Sequence, residues 1–335
     1  MRYGLLAIGL IVTATIGIAW GEESTAPGLE LVEARKIWDA APHNAFTDLI
    51  RFQDRWYCAF REGAGHGSFD GKLRVIASED GDTWKSAALL TYDDGDIRDA
   101  KLSIAADGRL MLSGAVRYDK PRDGYTFKSL VWFSKDGANW TDAQEIGEPD
   151  MWIWSVTWHD DTAYGVGYGC GDEQIARLYS SQDGVAWKTQ VANLFPRGGS
   201  PNEASLLFAK DKTCYCLLRR ETDDQAGQLG VSQPPYTQWT WKSVGQPIGG
   251  PKMVELPDGR LLAAVRLYGG DPHTSVCWID RESGHLTESL RLPSGGDTSY
   301  PGIVLAGDGL VWISYYSGHE DKTSIYLAKV KVTDQ

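Results

Sequence analysis

Ser78-Glu79-Asp80-Gly81-Asp82-Thr83-Trp84 returns as Ser134-Lys135-Asp136-Gly137-Ala138-Asn139-Trp140 and again as Ser181-Gln182-Asp183-Gly184-Val185-Ala186-Trp187. The shared pattern Ser-x-Asp-Gly-x-x-Trp is that of a hairpin. An Asp carboxylate accepts turn amides, Gly takes positive φ, and the Trp folds back as an apolar plug. Three copies in register, spaced by about fifty residues, carry the period of a propeller blade.

Strand patterns extend the repeat outward from these turns. Before and after the first copy lie Leu49 to Phe52, Trp56 to Phe60, Leu73 to Ala77 and Ala87 to Leu90, four short apolar or alternating runs. Further units begin near Asp96, Met151, Ser200, Gly249 and Asp297. The expected fold is therefore all-β, a six-bladed β-propeller of four-stranded antiparallel blades. The last unit, Tyr300 to Val330, is a strand short. The segment Leu29 to Trp38 is expected to supply that strand and close the ring, which removes the edge an open sheet would expose.

Composition agrees with this reading. The chain has 335 residues, 42% hydrophobic and 23% charged, which argues against disorder, collagen-like repeats and coiled coil. Its bias toward Trp (14), Tyr (15) and Gly (38) mixes strand formers with turn formers. With 33 Lys+Arg against 45 Asp+Glu, the formal charge is −12. An acidic surface works against phosphate backbones and anionic membranes, so a nucleic-acid partner is not expected. An anionic ligand would have to be held by a few local arginines in a desolvated pocket.

Residues 1–21 read as a leader. Arg2 supplies a positive charge, Leu5 to Ile18 is a short apolar run, and Ala19-Trp20-Gly21 places small residues at a cleavage site. The run falls short of the roughly 20 residues that span hydrocarbon, so export to the periplasm or the medium is expected rather than a membrane anchor. The mature chain, 22–333, is then one propeller domain. Of the cysteines, Cys214 and Cys216 stand two apart on a strand, and the five thiols Cys58, Cys170, Cys214, Cys216 and Cys277 are expected to be buried and unpaired.

The hairpin turns resemble the Asp-boxes of the sialidase (neuraminidase) superfamily, whose six-bladed propeller is similar in repeat count across nearly the whole mature chain. That resemblance implies an exo-glycosidase that grips a sugar carboxylate with arginines. It also implies a Tyr nucleophile assisted by Glu, with an acid/base carboxylate. Tyrosine serves where a charged nucleophile would be repelled by the sugar's own carboxylate. Pro201-Asn202-Glu203 and Leu217-Leu218-Arg219-Arg220 resemble the fourth-blade motif, making Glu203 the implied base and Arg219 an implied clamp. Ser299-Tyr300-Pro301 resembles the start of the sixth blade, making Tyr300 the implied nucleophile. Asp99, in Asp99-Ala100-Lys101, resembles the second-blade Asp that seats substrate.

Departures from the family pattern redirect other roles. Thr47-Asp48-Leu49 stands where the family has Arg-Ile-Pro, and His66, not an acidic residue, follows Arg61. His66, in a glycine-rich loop, and Asp48 are the two candidates for acid/base. Arg61, Arg219 and Arg266 each end an apolar second strand, and equivalent positions of a closed ring converge on one rim. Three guanidiniums there suit a uronate, a sialate or a sulfated sugar. Trp152 and Trp154 share a strand face and serve either as a sugar-stacking platform or as packing between blades.

No metal-ligand spacing links the histidines, and no GxGxxG, P-loop or nucleophile elbow is present, so neither metal nor cofactor is expected. The leading expectation is a hydrolase acting on an acidic sugar terminus. A polysaccharide lyase using His66 and a Tyr on a uronate is the second, and a non-catalytic glycan-binding propeller the third.

Overall fold

A computed structural model describes residues 28–92 and 95–333, so the leader reading of residues 1–21 lies outside the described residues. The chain forms antiparallel strands throughout. β1 (Leu29–Trp38) is followed by the sheet β2 (His43–Phe52), β3 (Arg55–Gly63), β4 (Lys72–Ser78) and β5 (Lys85–Leu90). A second sheet holds β6 (Gly95–Ile104), β7 (Leu110–Arg122), β8 (Tyr125–Ser134) and β9 (Gln144–Ile146). A third holds β10 (Met151–His159), β11 (Thr162–Gly169), β12 (Ala176–Ser181) and β13 (Trp187–Val191).

Next comes a seven-stranded sheet of β14 (Pro201–Phe208), β15 (Cys214–Arg220), β16 (Ala226–Ser232), β17 (Thr240–Glu255), β18 (Leu261–Leu267), β19 (His273–Ile279) and β20 (Leu286–Arg291). Within it the long β17 pairs with β16 from Thr240 to Pro247 and with β18 from Ile248 to Glu255. The last sheet orders β1 beside β23 (Ser324–Val332), then β22 (Leu310–Ser317) and β21 (Thr298–Gly307). The N-terminal strand thus pairs with the C-terminal one, Leu29 opposite Val332 through Trp38 opposite Ile325.

Closure is also visible at the centre. The first strands of successive sheets touch in a cycle, β2 to β6 to β10 to β14 to β17 to β21 and back to β2. The fold is an all-β propeller of four-stranded antiparallel blades.

The three Ser-x-Asp-Gly-x-x-Trp turns join third to fourth strands and are built alike. In the first, Asp80 Oδ1 accepts the amides of Asp82 and Thr83 at 2.7 and 2.8 Å, Ser78 Oγ accepts the Gly81 amide at 2.8 Å, and Trp84 Nε1 donates to Gly81 O at 3.0 Å. The same bonds recur around Asp136 and Asp183. Each turn glycine also docks on the preceding sheet. A Cβ at Gly81 would lie 2.0 Å from the Trp312 ring, and one at Gly137 would lie 2.2 Å from Tyr57. Positive φ and lack of space therefore require glycine twice over at these points. Trp312 in turn stacks on Trp56 with centroids 4.1 Å apart, so the first and last sheets are locked by aromatic contact at the closure.

One irregularity recurs along the ring and decides where side chains point. Every inner strand breaks register in its first half, between Ala45 and Asp48, Arg98 and Lys101, Ile153 and Ser155, Pro201 and Ala204, and Ser299 and Gly302, and β17 likewise at the start of its pairing with β18, between Gly249 and Lys252. Bulges bend a strand and re-aim its side chains. Phe46, Asp99, Gly250 and Tyr300 at these bulges have φ of 63°, 53°, 54° and 47°. For the three that are not glycine, such a conformation costs on the order of 1–3 kcal/mol each and is held only because the surroundings enforce it.

Candidate active site

The bulges of β14, β17 and β21 bring Glu203, Gly250 and Tyr300 together. The Tyr300 hydroxyl donates to Glu203 Oε1. Arg219, on β15, bridges the pair: its Nη1 lies 2.9 Å from the Tyr300 hydroxyl and 3.0 Å from each Glu203 oxygen. The Gly250 amide donates to Glu203 Oε2 at 2.9 Å. Burial works to raise the Glu203 carboxyl, but the Arg219 charge and the bonds from Tyr300 and Gly250 outweigh it and hold the group below its ordinary value. Burial pushes the Tyr300 phenol well up, and the neighbouring Glu203 charge adds to this against Arg219 and Arg266. The resting pair is a neutral phenol hydrogen-bonded to a carboxylate.

Arg266, on β18, lies with its guanidinium 5.1 Å from the Tyr300 ring centroid. It donates to Thr298 O and, at 2.8 Å, to the Tyr316 hydroxyl. Tyr316, on β22, donates to Asp297 Oδ1 at 2.8 Å. Asp297 Oδ2 meets His66 Nδ1 at 2.7 Å. His66 is the exposed member, with 54% of its side chain in solvent. Burial raises the Asp297 carboxyl, yet hydrogen bonds from His43 and His66 and the bond from Tyr316 hold it well below the carboxylate range. Phe46 stands between the two halves of the site, its ring centroid 5.1 Å from Tyr300, 5.2 Å from His66 and 5.3 Å from Tyr316.

A buried layer supports this arrangement. The Lys101 ammonium lies 4.4 Å from the Trp154 ring and 6.0 Å from the Tyr300 ring, and it donates to Thr47 O at 2.9 Å. Burial lowers its pKa. Trp154 Nε1 donates to Asp99 Oδ2 at 3.1 Å, and burial raises the Asp99 carboxyl. Tyr300, Glu203, Arg219, Arg266, Asp99 and His66 thus fall into one connected cluster around Phe46.

Three expected site residues do not join it. Asp48 is fully buried: its Oδ1 accepts the Leu49 amide, and its Oδ2 accepts the Leu102 amide and the Lys252 ammonium at 2.9 and 3.1 Å. With no solvent face it has no route to a substrate proton. Arg61 is likewise 0% exposed. Its Nε binds Asp96 at 2.7 Å and its other nitrogens bind Gly65 O and Ser68, so it anchors the loop that carries His66 instead of gripping a ligand. Trp152 is sandwiched between Phe127 and Tyr168 at 5.7 and 6.0 Å, which is packing.

Sequence reasoning passed over Asp297, Tyr316, Phe46 and Arg98. Arg98 places its guanidinium 5.1 Å from the Phe46 ring and donates to His66 O at 2.7 Å, at the rim where Arg61 was expected. The only sequence signal for it was its place beside Asp99 at the opening of a unit. The five cysteines are unpaired, four of them buried. Two surface hollows of about 540 and 590 Å³ lie elsewhere, with Phe69 and Asp70 lining one and Ser78 and Asp80 the other. Neither contains a residue of the cluster.

Comparison with solved structures agrees on the architecture. A Dyadobacter fermentans protein of unknown function superposes with a TM-score of 0.81 at 19% identity, covering 92% of this chain and 100% of that one. Penicillium chrysogenum alpha-L-arabinanase, solved with arabinobiose, gives 0.67 at 14% identity over 89% and 98%. Trypanosoma rangeli sialidase gives 0.69 at 12% identity, over 91% of this chain and 60% of that one. No family model matches the chain, and no curated protein does. At such identities the likeness defines the class of fold, a β-propeller shared with several glycosidases, and carries no activity by itself. Among the described residues, no helix is long and apolar enough to cross a membrane.

Proposed function

We propose that this chain is an exported, sialidase-like glycoside hydrolase acting on the acidic terminus of a glycan, built as a single propeller of six blades over residues 22–333. The seven-stranded sheet counts as two blades that share β17. Residues 1–21 are the leader that directs export.

The observation that carries the reading is the Tyr300–Glu203 hydrogen bond with Arg219 donating to both partners. A phenol bound to a carboxylate under a guanidinium is an activated nucleophile whose charge develops only as it attacks. Tyr300 Oη bonds to the anomeric carbon as its proton passes to Glu203. The glycosidic bond breaks, and the leaving oxygen takes a proton from His66. Water, giving a proton back to His66, then displaces Tyr300, which recovers its proton from Glu203. The configuration is retained. Asp297 orients the His66 ring, while Arg219, Arg266 and Arg98 face the anionic group of the sugar, and Asp99 helps to seat it. The likeness to solved glycosidases supports a glycan as the substrate class.

One observation favours a lyase as the alternative. His66, held by Asp297 and exposed to solvent, is placed to take and return a proton beside an arginine-neutralised uronate.

The test is a screen of the mature protein on sialosides, uronides and sulfated aryl glycosides, read both by released reducing ends and by ultraviolet absorbance. Hydrolysis without new absorbance, abolished in Tyr300→Phe and reduced by about 10²–10⁴ in Glu203→Gln, is the expected result. An unsaturated, absorbing product selects the lyase, and wild-type rates in Tyr300→Phe remove the proposed mechanism.

A further inference from the structure

Beside the tyrosine pair, three side chains from distant parts of the chain converge on one point. His43 opens β2, His66 lies in the β3–β4 loop, and Asp297 precedes β21. His43 Nε2 is 3.0 Å and His66 Nδ1 2.7 Å from the same oxygen, Asp297 Oδ2. All three donor atoms lie within 4.8 Å of one another. Two imidazole nitrogens and one carboxylate oxygen form the donor set of borderline divalent ions, which sit about 2.0–2.2 Å from each. To admit such an ion, both nitrogens must draw back from Oδ2, where they stand at 3.0 and 2.7 Å, toward the roughly 3.4 Å that separates ligands of a tetrahedral ion.

We propose that His43, His66 and Asp297 bind one divalent transition-metal ion of the zinc type at the rim of the site.

The surroundings select these atoms as ligands. Asp297 Oδ1 is already taken by the Tyr316 hydroxyl at 2.8 Å, so Oδ2 is the oxygen left to an ion. His43 is 6% exposed, and its buried Nδ1 has no hydrogen-bond partner. In the free protein the Asp297 carboxylate accepts from His43 Nε2, so an ion binding there must displace that proton, which buried Nδ1 or solvent takes up. His66 is largely solvent-exposed, which leaves the fourth position of a tetrahedral ion open to water or to an anion.

Two features limit the affinity. Arg266 lies 3.6 Å from Asp297 Oδ1, and Arg98 donates to the His66 carbonyl, so two cations stand nearby. His43 also lacks the outer acceptor that metal-bound histidines commonly have, whose loss costs about 10–100-fold in affinity. The site is therefore a reversible one. An ion here takes the His66 nitrogen and the Asp297 oxygen that hold each other in the free protein. It thereby regulates the hydrolysis proposed above by inhibiting it; this consequence rests on that proposal, whereas the binding itself does not.

The experiment titrates the metal-free full-length mature protein with Zn²⁺ by calorimetry and with Co²⁺ by visible absorbance, with no substrate present. One saturable equivalent is expected, with cobalt bands of a low-coordinate nitrogen–oxygen site. His66→Ala, on an exposed loop, and Asp297→Asn should each weaken binding at least tenfold, while His285→Ala, in the β19–β20 turn and outside the cluster, should leave it unchanged. Absence of saturable binding, or equal binding in His66→Ala and Asp297→Asn, overturns the proposal. Since these readouts need no turnover, an inactive protein that still binds one ion refutes the hydrolase and not the metal site.

Discussion

Gly250 and Tyr300 approach so closely that no side chain fits between them: a Cβ on Gly250 would stand 2.8 Å from both Cα and Cγ of Tyr300. The same glycine has φ of 54° and donates its amide to Glu203. One bulge on β17 thus shapes both members of the candidate nucleophile pair.

Gly250→Ala is expected to cost on the order of 1 kcal/mol in stability from the positive φ, but far more in turnover. Tyr300 must move to relieve the contact, and misplacement of a reacting group by about 1 Å costs on the order of 10²-fold. Thermal melts alongside kcat on an acidic aryl glycoside check this. Normal turnover with lost stability would mean the bulge is only structural.

Arg61 and Arg219 should separate cleanly. Arg61 and Asp96 are both 0% exposed, so Arg61→Met leaves a buried carboxylate short of a partner and should cost about 3 kcal/mol in denaturant unfolding. Arg98 and Arg117, at 3.6 and 3.5 Å from Asp96, keep the loss near the lower end. Arg219→Lys should leave stability close to wild type while raising KM and lowering kcat, because one ammonium cannot hold both the Glu203–Tyr300 pair, which Nη1 meets, and Glu221, which Nη2 meets at 2.8 Å.

Blade docking by the turn glycines is tested with a matched pair. Gly81 and Gly108 have similar φ, 74° and 80°, yet a Cβ meets Trp312 at the first and nothing within 4 Å at the second. Gly108→Ala should therefore cost about 1 kcal/mol, the backbone term alone. Gly81→Ala should cost about 2–3 kcal/mol, as overpacking is added. Equal losses in urea unfolding would remove the docking role.

The turn carboxylates also set the acid limb of stability. Amide bonds from Thr83 and Asp82 lower Asp80 to about 2, against an ordinary 3.8, and similar bonds lower Asp136 and Asp183. A carboxyl depressed in the folded state stabilises the fold fully above its unfolded value and loses that contribution as pH falls toward its folded value. The Tm of wild type and of Asp80→Asn should differ at pH 5 and converge as pH falls from about 4 to 2. A constant difference over that window would show that the charge is not what the turn uses.

Much of this was legible before the structure, and the reasons for the remainder are physical. The three turns, the β1 closure and the opening of units near Met151, Ser200 and Asp297 follow from local turn chemistry and strand period. Glu203, Arg219 and Tyr300 stand out by motif and Arg266 by strand position alone, and the structure places these four side chains together. Arg61 shares the strand position of Arg219, but its burial against Asp96 depends on the neighbouring sheet, which no local pattern reports. Asp48 was misplaced for the same reason, since Lys252 and the Leu102 amide come from other sheets. Phe46, Asp297 and Tyr316 enter only through ring closure and the inner-strand bulges, which put residues more than 200 positions apart in ring contact. The 16-residue β17 was read as a new unit at Gly249, within one residue of where its pairing changes from β16 to β18.

Covalent trapping tests the central claim most directly. The mature protein is incubated with fluorinated acidic glycosyl fluorides, which slow breakdown of a glycosyl-enzyme more than its formation, and is then digested for peptide mass spectrometry. A sugar-mass adduct on the peptide holding Tyr300, absent in Tyr300→Phe, is predicted. Turnover of acidic glycosides with no adduct at Tyr300, or with an adduct on a carboxylate, would contradict the account.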